Sequence, residues 1–257
     1  MLKLSGLNPQ PTGFGRCSSC PYYETAPAAM CFSCARQSME NLAQKRCRVC
    51  DLPYNPGEEE CKNPICNWDN RYFLWNYAVA IKSLALERAI KAYKFEDRKK
   101  WAVIFARVLV GFLDEESATF KPFDLIVASP TYVSIDGVSR TWDHTRRVLS
   151  EAFSECHGRW PFDVGEHPAA IIKTAATTPM TNKNWKQRHE IAQSELREAL
   201  DVPDPDRTRG KTILVYDDVF TDGHTLNEVA RCLKLKGEAS QVCGVTLARQ
   251  PYGRGHT

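Results

Sequence analysis

The stretch Ile213–Thr225, ILVYDDVFTDGHT, runs four apolar residues into two adjacent acids and then into a loop of Thr, Asp, Gly, His and Thr. Four consecutive apolar residues that stop at a polar pair read as a buried strand. Two neighbouring carboxylates at a strand end repel each other unless something cationic or polyhydroxylated sits between them. A Gly-centred loop that opens a helix, here Thr225–Leu235, is a ready cradle for a phosphate. A plain strand–turn–helix with a Thr cap would need neither the acid pair nor the Gly loop. The stretch therefore predicts a site for a ligand with both a sugar and a phosphate.

Outward from this point, helical and strand patterns alternate. Leu125–Ala128 reads as a short buried strand that ends at Ser129 and Pro130, and Pro168–Ile172 and Val242–Leu247 read as further strands. Trp101–Leu113 is apolar nearly all round and predicts a well-buried helix. Ser139–Phe153 and Trp185–Leu200 also read as helices. Leu74–Phe95 is loosely helical in its apolar spacing, from Val79 to Tyr93. Thr174–Asn184 carries no period and reads as a loop, and Val202–Gly210 is a Pro/Gly-punctuated connector. Strands separated by helices imply βαβ units and a mainly parallel sheet, with ligands gathered beyond the carboxyl ends of the strands. Asp217 and Asp218 fall there.

The chain has 257 residues, 43% of them hydrophobic and 25% charged, with a net charge of +3. That charge is too small to argue for nucleic acid by itself. No apolar stretch reaches the length of a membrane span, and the opening MLKLSGLNPQ lacks a signal-peptide core, so a soluble, cytoplasmic protein is expected.

Cysteine usage is the exception. Of eleven cysteines, eight fall between Cys17 and Cys66. They form a twofold repeat: Cys17-x2-Cys20, ten residues, Cys31-x2-Cys34, then Cys47-x2-Cys50, ten residues, Cys61-x4-Cys66. Each half supplies four thiolates, enough for one tetrahedral zinc, and two structural zinc ions are expected. Iron–sulfur ligation is the competing chemistry. Sequential grouping of the ligands matches the repeat, and the spacing also leaves open a crossed grouping in which alternate pairs share a metal. Cys156, Cys232 and Cys243 read as core residues. Residues 1–72 hold eight Lys/Arg against seven Asp/Glu, which favours a structural role for this block over a nucleic-acid docking role. The composition changes near residue 72, which divides the chain into an N-terminal segment 1–72 and an α/β segment 73–257.

The strand–acid–loop stretch resembles the phosphoribosyl-pyrophosphate (PRPP) motif of type I phosphoribosyltransferases. The chain as a whole resembles the ComF family, which joins an N-terminal double zinc ribbon to such a domain. The likeness rests on the four cysteine pairs, on Ala89–Ala102 (AIKAYKFEDRKKWA), on Thr178–Arg188, on Gly210–Gly237 and on the closing VTLAR. It implies an α/β fold with a type I phosphoribosyltransferase-like, mainly parallel sheet flanked by helices. It implies that Asp217 and Asp218 contact ribose hydroxyls, with Mg²⁺ bridging ribose and pyrophosphate. Thr221, Asp222, Gly223, His224 and Thr225 would hold the 5′-phosphate. The reaction implied is displacement of pyrophosphate at the anomeric carbon, where positioning and charge stabilisation dominate. Two departures stand out. Asp222 places a carboxylate beside the phosphate, which is repulsive unless it points away. Ser129–Gly137, where a basic residue for pyrophosphate is expected, has no Lys or Arg.

Two further segments carry candidate contacts. Thr174–Arg188 resembles a mobile loop that closes over such sites, with Lys183, Lys186 and Arg188 placed to neutralise pyrophosphate. Lys82–Arg107 holds eight basic and three acidic residues interleaved with Tyr93, Phe95 and Trp101. Lys94, Arg98, Lys99 and Lys100 could therefore form a single-stranded DNA surface, against the plainer reading of a solvated helix face. The function classes in play are a PRPP-dependent transferase, a non-catalytic DNA-binding accessory of DNA uptake or metabolism, and a nucleotide-sensing regulator. Among six histidines only His224, inside the loop, has a site rationale.

Overall fold

A computed structural model describes residues 35–36, 39–96, 98–134, 142–165 and 167–251. Among the described residues the central sheet has four strands, all parallel: β1 (Asn76–Ile81), β2 (Leu125–Ala128), β5 (Thr212–Phe220) and β6 (Gln241–Arg249), in the spatial order β1-β6-β5-β2. A separate two-stranded antiparallel ribbon pairs β3 (Ile172–Lys173) with β4 (Leu200–Asp201).

The strands alternate their side chains between two cores, as the period of two requires. Leu214 and Tyr216 of β5 and Val245 and Leu247 of β6 face one core, with α2 (Trp101–Glu115) and α4 (His144–Cys156). Ile213, Val215 and Val242 face the other, with α6 (His224–Leu235). Helix α2 is buried on almost every side, from Ala102 to Leu113, as its apolar sequence predicts. Its single cation, Arg107, is fully buried and meets Glu155 of α4 through Nε at 3.2 Å and Nη2 at 3.3 Å, so the two helices share one charge-matched contact.

The structure differs from the sequence reading in instructive places. Leu74–Phe95 is not one helical run: Asn76–Ile81 is β1, and α1 (Leu84–Phe95) starts only after Ser83, whose side chain accepts from the Leu86 N–H. The apolar run YAVAI is buried on both faces, and such a strand lacks the alternation that distinguishes it from a helix. Pro168–Ile172 does not join the main sheet; the parallel neighbour of β2 on that edge is a single bridge between Ile126 and Phe162. Helix α4 begins at His144 rather than Ser139, with Asp143 capping the Arg146 N–H at 2.9 Å. Trp185–Leu200 is α5 (Trp185–Ile191), a π-helical segment (Ala192–Leu196) and a last turn, with Leu200 already in β4. A short α3 (Ser117–Phe120) links α2 to β2.

The second half of the cysteine repeat packs on the carboxyl end of the sheet. Cys47, Cys50, Leu52, Ile65 and Phe73 share a core with Phe220, Leu226 and Val229 of the β5–α6 unit. Cys17, Cys20, Cys31 and Cys34 lie outside the described residues.

Candidate ligand site and cysteine centre

Strand β5 delivers Asp217 and Asp218 to the floor of a cleft of about 920 Å³. Asp218 is 6% exposed, and its Oδ2 lies 2.5 Å from Lys94 Nζ and 3.9 Å from His144 Nε2. Lys94 is the close cationic neighbour of this buried oxygen, which has a second lone pair that could accept from a ligand. Burial and the neighbouring Asp218 push Asp217 up to about 7. Burial acts the same way on Asp218, but Lys94 and His144 outweigh it and hold its carboxyl below the usual range. One acid is thus poised to lose a proton near neutrality while its neighbour stays ionised.

The loop after β5 turns sharply at Gly223, whose φ of 94° lies in the left-handed region. A Cβ there would come within 2.6 Å of the Phe220 ring, so both the backbone and the space require glycine. Thr221, Asp222, Gly223 and Thr225 all line the cleft. The repulsion expected of Asp222 is answered by Arg188, whose Nη1 lies 3.1 Å from Asp222 Oδ2. Asp222 Oδ1 in turn accepts from the His224 N–H at the start of α6. The His224 ring is 2% exposed and packs among Trp68, Trp185 and His189, where burial holds its pKa below the usual value.

Cations reach the cleft from places other than the segment after β2. Ser129, Pro130, Thr131 and Tyr132 form its wall there, while Lys82, Lys91 and Lys94 enter from the β1–α1 side, Lys173 from the end of β3 and Lys183 from the long loop after it. The loop lies over the start of α6: Arg188 Nε donates to the Met180 carbonyl, and Thr225 Oγ1 meets Met180 Sδ at 3.8 Å. Lys186 is exposed on α5. Of the four residues expected on a nucleic-acid surface, Lys94 instead turns inward to Asp218, whereas Arg98, Lys99 and Lys100 are exposed, with Lys99 over the Trp142 ring.

Two residues of the cleft escaped the sequence reading. Lys94 was placed on a solvated or DNA-facing surface, and its position at the end of α1 gives no hint of Asp218, which is more than a hundred residues away. His144 carried no local motif at all. It is 5% exposed, with Nδ1 3.3 Å from Thr131 Oγ1, and its place at the N-terminus of α4 brings it beside the acid pair.

Cys47, Cys50, Cys61 and Cys66 bring their sulfur atoms within 4.8 Å of one another. A tight knuckle holds the first pair, with the Val49 N–H 3.4 Å from Cys47 Sγ. The longer gap between Cys61 and Cys66 is taken up by the 3₁₀ turn Pro64–Asn67. Four thiolate donors in a closed set could hold one zinc ion, and they leave no open position for a reacting water. The grouping in this half is sequential.

No family model matches the chain. It is similar to competence protein ComFC of Bacillus subtilis (strain 168), with 22% identity over 229 residues, covering 86% of this chain and 84% of that protein. Among the described residues, no helix is long and apolar enough to cross a membrane. A likeness along nearly the whole length of ComFC, together with the parallel sheet and the four-cysteine cluster, bears out the resemblance to the ComF family drawn from the sequence.

Proposed function

We propose that the cleft binds PRPP with Mg²⁺ and that the chain is a ComF-type phosphoribosyltransferase-like protein with a competence-related role, transferring or holding a ribose 5-phosphate group. One observation carries this reading: the acid pair and the Gly223 loop open into the same cleft, so a ligand with vicinal hydroxyls and a phosphate can meet both. The acceptor oxygen left on Asp218 suits a hard cation, which takes one or two protein carboxylates and completes its shell with water and phosphate oxygens. Bound there, Mg²⁺ would supply charge neutralisation of pyrophosphate. The chain's own residues would do the rest. Asp217 and Asp218 would orient the ribose, the amides of Thr221–Thr225 would fix the 5′-phosphate, and Lys82, Lys91, Lys173 and Lys183 would surround the departing pyrophosphate. Lys94 would hold Asp218 ionised until the ligand arrives.

Equilibrium dialysis with labelled PRPP tests the reading. Binding that requires Mg²⁺ and disappears in an Asp217→Ala/Asp218→Ala double variant is the expected result. Equal retention by wild type and variant would overturn it.

A second reading, single-stranded DNA binding, draws on the exposed Arg98, Lys99 and Lys100 beside Phe95, which is 64% exposed, and on the competence name of the relative. Its signature would be an affinity that falls steeply with salt. A domain boundary near residue 72, a second zinc in the first four cysteines and a cytoplasmic location complete the proposed picture.

A further inference from the structure

Arg249, the last residue of β6, is fully buried and ties the cysteine centre to the loop of the cleft. Its Nε donates to the Cys50 carbonyl at 2.6 Å, and its Nη2 lies 3.4 Å from Cys50 Sγ. Its Nη1 donates to the carbonyls of Phe220 at 3.0 Å and Thr221 at 2.7 Å. The next carbonyl, that of Asp222, accepts from Asn63 Nδ2 at 3.1 Å, and Asn63 is also fully buried, between Cys61 and Cys66. Ile65, on the same turn, packs against the Gly223 position.

Three successive carbonyls, of Phe220, Thr221 and Asp222, are therefore held from the side of Arg249 and Asn63, the first of them also by the Gln250 N–H at 2.9 Å. In a trans peptide the N–H of the following residue lies in the plane of the carbonyl and points the opposite way. Holding these carbonyls back turns the N–H groups of Thr221, Asp222 and Gly223 the other way, on residues that line the cleft. Successive amides aimed at one point form an anion site, and their aim is set from behind.

We infer that Arg249 and Asn63 are positioning residues that make the metal-loaded cysteine quartet the support of the phosphate loop, so that metal retention and phosphate-ligand binding are linked. The inference rests on the PRPP reading for its ligand, though not for the loop geometry. A thiolate set closed by zinc fixes the Cys50 carbonyl and sulfur and the Asn63 turn. Without the metal these anchors are released, and the amides lose their common direction. Linkage is reciprocal: if zinc tightens ligand binding, the ligand tightens zinc by the same factor.

The test uses the full-length, zinc-loaded protein and two readouts. Hydrogen exchange at the amides of residues 221–225 is compared between wild type, Asn63→Ala and Arg249→Lys. Zinc affinity is measured by competition with a zinc-selective chromophoric chelator, with and without saturating Mg²⁺·PRPP. Expected are exchange faster by about ten-fold in both variants at the loop but not at Ile213–Tyr216, and wild-type zinc affinity raised about ten-fold by the ligand, with a smaller rise in the variants. Should Arg249→Lys fail to fold, Asn63→Ala decides. Unaltered loop exchange in Asn63→Ala, or zinc affinity indifferent to bound ligand, would overturn the inference. Absence of PRPP binding to zinc-loaded wild type would instead remove the PRPP reading, and the exchange readout would still judge the loop support.

Discussion

The carboxyl end of β5 has two sides that are built in opposite ways. Toward the cleft, two carboxylates stand side by side, one with a raised pKa and the other ion-paired to Lys94. Toward the cysteine block, one arginine above the Phe220 ring donates to the backbone carbonyls of Cys50, Phe220 and Thr221, and Asn63 adds another bond. The first side gathers like charge at the cleft; the second is knit to the loop by donors, although the buried Asn63 Oδ1 has no hydrogen-bond partner. The contrast teaches how a fold holds a strained ligand site: the groups that await a ligand are held in place by hydrogen bonds from a neighbouring layer.

The largest expected effect breaks the supporting side. Stripping zinc with a chelator should lower the melting temperature by on the order of 10 °C or more, because structural zinc sites contribute folding free energy directly. Cys47 and Cys50 lie in the same core as Val215 and Phe220, so the loss should reach the sheet and not only the cysteine block. Thermal scans with a parallel metal count check this. A melting curve insensitive to metal content would remove the cysteine centre from the account.

Next in size is Gly223→Ala. The positive φ and the 2.6 Å approach to Phe220 both oppose a side chain, so a cost of about 1–3 kcal/mol is expected in denaturant unfolding, with weakened phosphate-ligand binding. Wild-type stability in this variant would mean that the loop is free to move away from Phe220 and Ile65.

How much of this was legible in the sequence follows from the same contrast. The strand, the acid pair and the Gly loop sit within thirteen residues, and local chemistry alone announces them. The cysteine repeat is legible for the same reason, since metal spacing is a short-range signal. What stayed hidden depends on tertiary pairing. Asn76–Ile81 merges with the following helix because a strand buried on both faces has no alternation to display. Lys94 looks like one more basic residue of a basic segment until α1 is laid beside β5. Arg249 ends an apolar strand as a lone cation, and only the meeting of β6 with Cys50 explains it. The loop charge at Asp222, a difficulty in the sequence, is resolved by Arg188 of α5, a helix whose approach to the loop no local pattern announces.

A smaller effect sharpens the cleft side through pH. Asp217 has a folded pKa of about 7 against an ordinary 3.8, so between these values the folded state binds more protons than the unfolded one. Stability from this group is then present at low pH and lost as pH rises toward 7. Urea unfolding from pH 4 to 8 should show stability falling with pH more steeply, or rising less, in wild type than in Asp217→Asn. Parallel curves would contradict the buried pair.

Smallest is the surface of α1 and its following turn. Lys99→Glu/Lys100→Glu should change stability by within about 0.5 kcal/mol, as both side chains are exposed. The same variant separates the two readings of function: it should leave PRPP binding unchanged, and any single-strand affinity of the wild type should fall and lose salt dependence.

The most direct measurement pairs binding with stability in a single variant, Asp217→Asn. The amide keeps an oxygen for the Asp218 N–H, which Asp217 Oδ1 accepts at 2.8 Å, and removes one of two repelling charges. Calorimetric titration with Mg²⁺·PRPP and thermal unfolding at pH 8 should together show binding lost and the melting temperature raised by a few degrees. A variant that still binds, or that melts lower than wild type, would contradict the claim that this side of the strand is kept strained for a ligand.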